Sequence, residues 1–401
     1  FSYSDEEGST AQIAKLLQAP VLLILDVGKM ARSAGALALG YCRFDPKLKI
    51  AGFILNRCGS ESHYQGTKLA VEQATGLPVL GWLPKNADLH IPERHLGLVP
   101  GNERGELADF FGRVADVVEQ HFDLDQILTI AQTESLSPPH LDEAEIQPYP
   151  LLSNEHHVPR TTYHVPRTII AVARDTAFSF YYEDNLHILH EAGAKVVFFS
   201  PQQDLDIPKD TSGIYFGGGF PEIYAAQLTA NRPLLAALRR AHAAGMPIYA
   251  ECGGFMYLTE AIVDLAGQLH PMVGLIPGLS RMQPRLVSLG YRLVESSGNF
   301  LLPQGVITRG HEFHWSTWEI PLKDEGGRMK AEKPDPSSFI LHPSSFTPAW
   351  RIRPRQGDGD GKPTGYAHNN LVASYVHLHF AHNFQLAHNF VQACRQWREA
   401  R

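Results

Sequence analysis

Continuous apolar runs of strand length recur along this chain, and stretches of helical character separate them. PVLLILD (20–26), KIAGFILN (49–56) and PVLGWLP (78–84) come first, with helices read over about 31–41 and 64–75. A strand apolar along its whole length is covered on both faces, and a helix between two such strands lets them run parallel. This is the pattern of a parallel sheet with crossover helices. It resumes at RTIIAVARD (167–175), followed by a helix running to about Ala192, then KVVFFSP (195–201) and SGIYF (212–216). The fold class expected is α/β, in two domains with mainly parallel sheets.

Between the two series the pattern dissolves into Pro, Ser and His, with a tandem repeat, HVPRTTYHVPRT, over 157–168. Such a stretch reads as a linker. The domains expected are 1–125, a linker at 126–166, and 167–401; a chain of 401 residues is long enough for two separate cores. KPDPSSFILHPSSFTP (333–348) and RQGDGDGKP (355–363) read as surface loop inserted in the second domain.

Charge and cysteine usage narrow the function classes. The net charge is −7 with Lys and Arg scattered, which offers no electrostatic footprint for a phosphate backbone, so a small substrate is expected and nucleic acid is not. Cys42, Cys58, Cys252 and Cys394 lie far apart without CxxC pairing, arguing against a disulfide framework and a zinc knuckle. No apolar run is long enough to cross a bilayer, and no targeting pattern opens the chain. A reducing, cytoplasmic setting without a membrane partner is the expectation.

Two segments carry chemistry. In SGIYFGGGFPEIY the glycines Gly217–Gly219 follow a buried-looking strand. Backbone N–H groups there could converge on an oxyanion, or the glycines could simply make a tight strand-to-helix turn. In MPIYAECGGFMYLTEAIV (246–263) a short apolar strand ends in Glu251 and Cys252 and runs through Gly253 and Gly254 into an apolar-periodic helix. A nucleophile on such a turn stands above the sheet, and a helix N-terminus favours a thiolate. An arbitrary cysteine is more often a buried apolar residue; the local sequence argues for the nucleophile. A base is available in NLVASYVHLHF (370–380), a strand-like run whose alternation puts His377 and His379 on one face.

Glycine loop, then cysteine, then terminal histidine is the order seen in class I glutamine amidotransferases. VARDTAFSFYYEDNL (172–186), GGGFPEIYA (217–225), YAECGGFMYL (249–258) and RGHEFHWS (309–316) together resemble the amidase half of the cobyrinic acid a,c-diamide synthases. EGSTAQIAKLL, LDVGKMARSAGALALGY, FILNRCGS and PERHLGLVP resemble their synthetase half. The resemblance covers nearly the whole chain. It implies a partial domain of the P-loop, dethiobiotin-synthetase-like kind followed by a flavodoxin-like class I amidotransferase domain. It also implies amidation of the a and c carboxylates of cobyrinic or hydrogenobyrinic acid in cobalamin biosynthesis, with glutamine as nitrogen donor and ATP with Mg²⁺ activating each carboxylate.

By that resemblance Cys252 is the nucleophile and His377 its base, with Gly218, Gly219 and Gly253 forming the oxyanion hole. The position two residues after the base, where other class I enzymes carry an acid, is His379, so a dyad is assigned and what orients His377 stays open. Arg94, His95 and Arg32 are candidates to hold corrin carboxylates, since guanidinium groups pair with them bidentately; Arg32 would equally suit a solvated helix face. Asn56, the last residue of FILN, matches an adenine contact or caps a turn. His311 and His314 of GHEFH would point to opposite faces of a strand, and no metal site is read there. A homodimer is one assembly to expect.

No GxxxxGK[ST] occurs in the 401 residues, and the first residue is Phe1. The expectation is a chain truncated ahead of its phosphate loop, as a fragment or in the gene, whose unaided ligation is not expected. Two alternatives therefore stand beside the ligase: a stand-alone glutaminase or ammonia-supplying subunit, and a non-catalytic corrinoid-binding remnant.

Overall fold

The structure, a computed structural model, describes residues 8–86, 89, 93–94, 97–98, 107–132, 168–320, 347–353 and 361–401. The chain divides into two compact units, Phe1–Pro148 and Tyr149–Arg401.

In the first unit α1 (Thr10–Leu16) leads into β1 (Val21–Asp26), α2 (Ser33–Phe44), β2 (Ile50–Cys58), α3 (Glu61–Thr75) and β3 (Val79–Pro84). The strands form a parallel sheet of order β1-β2-β3, as their apolar runs predict. Ser60 caps α3 by accepting from the His63 N–H at 3.1 Å, the use for which serine is favoured there. Leu25, Phe53, Leu55, Val71 and Trp82 make the core. A two-residue pair, β4 (Glu93–Arg94) with β5 (Gly97–Leu98), precedes α4 (Leu107–His121) and α5 (Leu124–Gln132). The stretch read as linker from 126 therefore begins as helix, and its remainder lies outside the described residues.

The second unit opens with β6 (Thr168–Ala173), α6 (Glu183–Glu191), β7 (Ala194–Phe199), β8 (Thr211–Phe216), α7 (Ala225–Ala230), α8 (Arg232–Ala243), β9 (Ile248–Glu251) and α9 (Gly253–Leu258). It continues through β10 (Thr259–Val263), β11 (Leu269–Pro271), β12 (Ile276–Met282), β13 (Ser288–Ser296), β14 (Ile307–His314), β15 (Ser316–Glu319), β16 (Trp350–Arg353) and β17 (Lys362–Thr364). It closes with β18 (Tyr366–His368), β19 (Leu371–Ser374), β20 (His377–Leu378) and α10 (Gln385–Glu399).

Its central sheet has the order β18-β19-β9-β8-β6-β7, parallel except for the edge strand β18. Alternation distributes its side chains: Ile214 and Phe216 of β8 join the core on one face, Tyr215 the core on the other. Each such fully buried large side chain is worth about 1.5–3 kcal/mol. From β6 the chain steps to β7 on one side and then to β8 on the other, so a switch point lies between β6 and β8. In open α/β sheets that is where the carboxyl ends of the strands leave a crevice. The sequence did not announce two further sheets, β17-β16-β13-β14-β20, antiparallel throughout, and β11-β10-β12-β15, mixed.

Candidate active site

Cys252 stands at the carboxyl end of β9, one residue before α9, with φ 47° and ψ −103°. A non-glycine residue rarely adopts a positive φ, and the surroundings hold it there. Its N–H donates to the Ser374 carbonyl of β19 at 2.8 Å, and the Gly254 N–H to the Gly217 carbonyl at 3.0 Å. A Cβ on Gly254 would lie 2.5 Å from the Phe216 Cβ, so helix and strand approach this closely only because the position is glycine. The sulfur's hydrogen-bond contact is the Phe313 carbonyl of β14, 3.9 Å away.

The glycine loop follows β8 and lies against the same turn. Gly218 forms an isolated antiparallel bridge with Phe180, its N–H donating to the Phe180 carbonyl at 3.1 Å. That corrects the expectation for Gly218, whose donor is already used. Among the described residues no hydrogen bond engages the N–H of Gly219, and the Gly253 N–H is directed to the Cys252 sulfur. The Gly219 nitrogen lies against the Gly253 backbone, 2.9 Å from where a Cβ would stand. These two neighbouring amides are the oxyanion donors this geometry offers. Gly218 serves differently: a Cβ there would come within 2.5 Å of the His377 Cε1, so its bareness makes room for the imidazole.

His377 reaches the turn because β19 runs parallel to β9, in register Ser374 with Glu251, three residues before the histidine. The run 370–380 is not one strand: β19 ends at Ser374, and His377 belongs to β20, paired with His311 of β14. His377 is therefore buried, while the His379 side chain is 36% exposed, 3.4 Å from the Asp184 carboxylate. The expectation that both share one face fails because β20 ends at Leu378 and the chain turns at His379 into the 3₁₀ turn Phe380–His382. The His377 ring stacks on His311 with centroids 4.7 Å apart and meets the edge of Phe180 at 4.9 Å. The glycine loop lies against both residues, Gly218 against the His377 ring and Gly219 against Gly253, and no hydrogen bond joins Cys252 to His377.

Behind the pair lies Glu251, a buried carboxyl at the end of an otherwise apolar strand. It accepts from Tyr215 at 3.0 Å, Tyr249 at 2.5 Å and the Leu378 N–H at 3.0 Å. Its place directly before the cysteine was visible in the sequence, but its partners, from three other places in the chain, were not. Glu312 of β14 pairs with Arg292 at 2.9 Å and accepts from the Ser288 hydroxyl, while His314 stacks on Tyr375 and bonds the Ser316 carbonyl. Glu312 and Tyr375 lie near enough to act electrostatically with Cys252, each with its own partner.

Burial governs the ionisation of the whole site. It pushes the Cys252 thiol up to about 12, with Glu222 adding to the rise and the Gly253 N–H opposing it. The helix N-terminus was expected to favour the thiolate; α9 has six residues, and desolvation outweighs its amides. Burial, with His311 and His314 adding to it, holds His377 well below the ordinary histidine range. Burial also raises Glu251 to about 7, against the opposing pull of its three donors. The resting pair is thus a neutral thiol and a neutral imidazole.

In the first unit Arg32 is exposed just before α2, at the edge of a groove of about 420 Å³ shared with His63, Gly66, Thr67 and Gln73. Asn56 is half-buried near the carboxyl end of β2, opposite Asp26. The Arg94 side chain and His95 lie outside the described residues.

Comparison with known proteins bears on both halves. Residues 169–384 match the CobB/CobQ-like glutamine amidotransferase domain, and residues 2–93 match an AAA domain. A cobyrinate a,c-diamide synthase of Dehalococcoides mccartyi is 44% identical over 396 residues, covering 98% of this chain and 78% of that protein. The protein of the same name from Priestia megaterium is 41% identical, over 98% of this chain and 77% of its own. That from Listeria monocytogenes is 38% identical, over 94% and 75%. No helix among the described residues is long and apolar enough to cross a membrane.

Proposed function

The chain belongs to the cobyrinate a,c-diamide synthase family, glutamine-hydrolysing ligases of cobalamin biosynthesis, and from that premise we propose that it transfers the amide nitrogen of glutamine to the a and c carboxylates of a cobyrinic acid-type corrin. What supports this reading most is the strained turn that carries Cys252, with the glycine loop lying against both that turn and the His377 ring.

Cys252 attacks the glutamine amide carbon as its proton passes to His377, so that no buried ion stands alone before the bond forms. The sulfur leaves the Phe313 carbonyl for the imidazole in doing so. The Gly219 and Gly253 N–H groups receive the oxyanion, and His377 returns the proton to the departing ammonia. Water then cleaves the thioester and releases glutamate. A carboxylate is a poor electrophile until activated, which ATP with Mg²⁺ would supply; the AAA match over residues 2–93 supports nucleotide binding in that half. There Asn56 is proposed for the adenine, and Arg32, Arg94 and His95 for the corrin carboxylates. The halves are proposed to divide at 1–125 and 167–401, and to work in the cytoplasm.

The test is glutamate release from glutamine, followed by transfer of ¹⁵N from labelled glutamine to cobyrinic acid with ATP. Cys252→Ala should cut glutamate release by at least about 10³-fold. Undiminished release from that variant would end the amidase reading, and glutamate release without ATP-dependent label transfer would end the ligase reading for this chain.

A further inference from the structure

His377 carries a buried ring nitrogen, Nδ1, with no hydrogen-bond partner among the described residues. The polar atom facing it is Glu251 Oε2, 3.9 Å away, and the two side chains are 5% and 2% exposed. An unpaired polar atom in such a place costs about 1–3 kcal/mol, and a buried carboxyl costs more unless well bonded. The carboxyl is fixed from three sides: Tyr215 on Oε2, Tyr249 and the Leu378 N–H on Oε1. Tyr249 is on its own strand, Tyr215 on the neighbouring β8, and Leu378 is the residue after His377 itself. The same carboxyl thus anchors the backbone of the histidine and faces its ring.

We propose that Glu251 is the positioning residue of the amidase pair, its carboxylate receiving the His377 Nδ1–H and leaving Nε2 to take the Cys252 proton. The inference rests on the reading of Cys252 and His377 as nucleophile and base, and supplies the acidic partner absent from the position of His379. At 3.9 Å the contact is longer than a hydrogen bond, and a shift of about 1 Å in the ring closes it. The proton inventory balances: the thiol proton goes to Nε2 as the carbon–sulfur bond forms and leaves with ammonia, while Nδ1 keeps its own. The carboxylate then offsets the transient imidazolium. Other ionisable groups around the ring are His311 and His314 of β14; Tyr181, Tyr215 and Tyr249 surround the carboxyl, and Tyr182 bonds His311.

The experiment is the pH profile of kcat for glutamate release by the full chain. In wild type, kcat falls as pH drops through the Glu251 titration, because a protonated carboxyl no longer balances the imidazolium. Glu251→Gln should lower kcat on the order of 10²-fold with the glutamine KM little changed, and remove that acid limb. Tyr249→Phe keeps the carboxyl but removes a donor that stabilises its ionised form, so the acid limb should move to higher pH. Glu251→Gln with kcat within about twofold of wild type and the limb in place, or Tyr249→Phe with an unmoved limb, overturns the proposal. Wild-type protein that releases no glutamate overturns the amidase reading itself and this inference with it.

Discussion

At Cys252 the competition is between the amide groups of a short helix and the loss of water, and water loss wins: the thiol is pushed up to about 12. A nucleophile of this kind is inert until a substrate and base act together, which spares it from stray electrophiles. The sign of its pH dependence follows. Below a raised pKa the thiolate fraction grows about tenfold per pH unit, so alkylation of Cys252 by iodoacetamide in the glutamine-free protein should climb steadily from pH 7 to pH 10. A peptide thiol, half ionised near 8.5, levels off over the same range. Mass spectrometry of the Cys252 peptide reads this site apart from Cys58 and Cys394, which burial also raises. A plateau by pH 8 would mean that the thiolate is already stabilised in the resting state, against the neutral-pair mechanism.

Among the elements, the bend between β19 and β20 decides whether there is a site at all, since it carries the chain from one sheet to another and sets His377 beside the turn of Cys252. Asn185 of α6 secures the chain just past that bend, on the far side of His377, donating to the Leu378 carbonyl and accepting from the Phe380 N–H, each at 2.8 Å and fully buried. Asn185→Leu strands both backbone groups, at about 1–3 kcal/mol each. Urea unfolding should show a loss of that order, and kcat for glutamate release should fall with little change in KM; an unaltered midpoint would show that the bend holds itself. Such a contact is not legible in a sequence, because no local periodicity records an interaction between residues 193 positions apart. The same reason hid Tyr215 and Leu378 as donors to Glu251 and the use of the Gly218 amide. What could be read were the features with short-range signatures: β1, β2, β3, β6, β7 and β8 as apolar runs, the strand, cysteine and glycines at Glu251–Gly254, and the order of glycines, cysteine and histidine. β13 escaped because its burial alternates only in part, leaving Leu289 and Tyr291 exposed on an antiparallel ladder, and a short mixed pattern resembles loop.

For the whole molecule the decisive fact is that the cores are separate. Every residue of the core around Phe53 and Trp82 lies within 25–82, and those of the two cores flanking the central sheet of the second unit lie within 170–394. Unfolding of such a chain need not be two-state, because each core can be lost while the other keeps its own buried area. Tryptophan reports them separately. Trp82, stacked on Tyr64 with ring centroids 5.1 Å apart, is the one tryptophan of the first unit, and Trp315, Trp318, Trp350 and Trp397 belong to the second. A urea titration followed by tryptophan fluorescence should resolve two transitions, of which Trp82→Phe silences one. Glutamate release should be lost with the other, and glutamine, bound only where the amidase is folded, should raise the midpoint of that transition alone. A single transition in wild type, with activity and all fluorescence lost together, would mean that the units stabilise one another so strongly that the amidase does not exist as an independent folding unit.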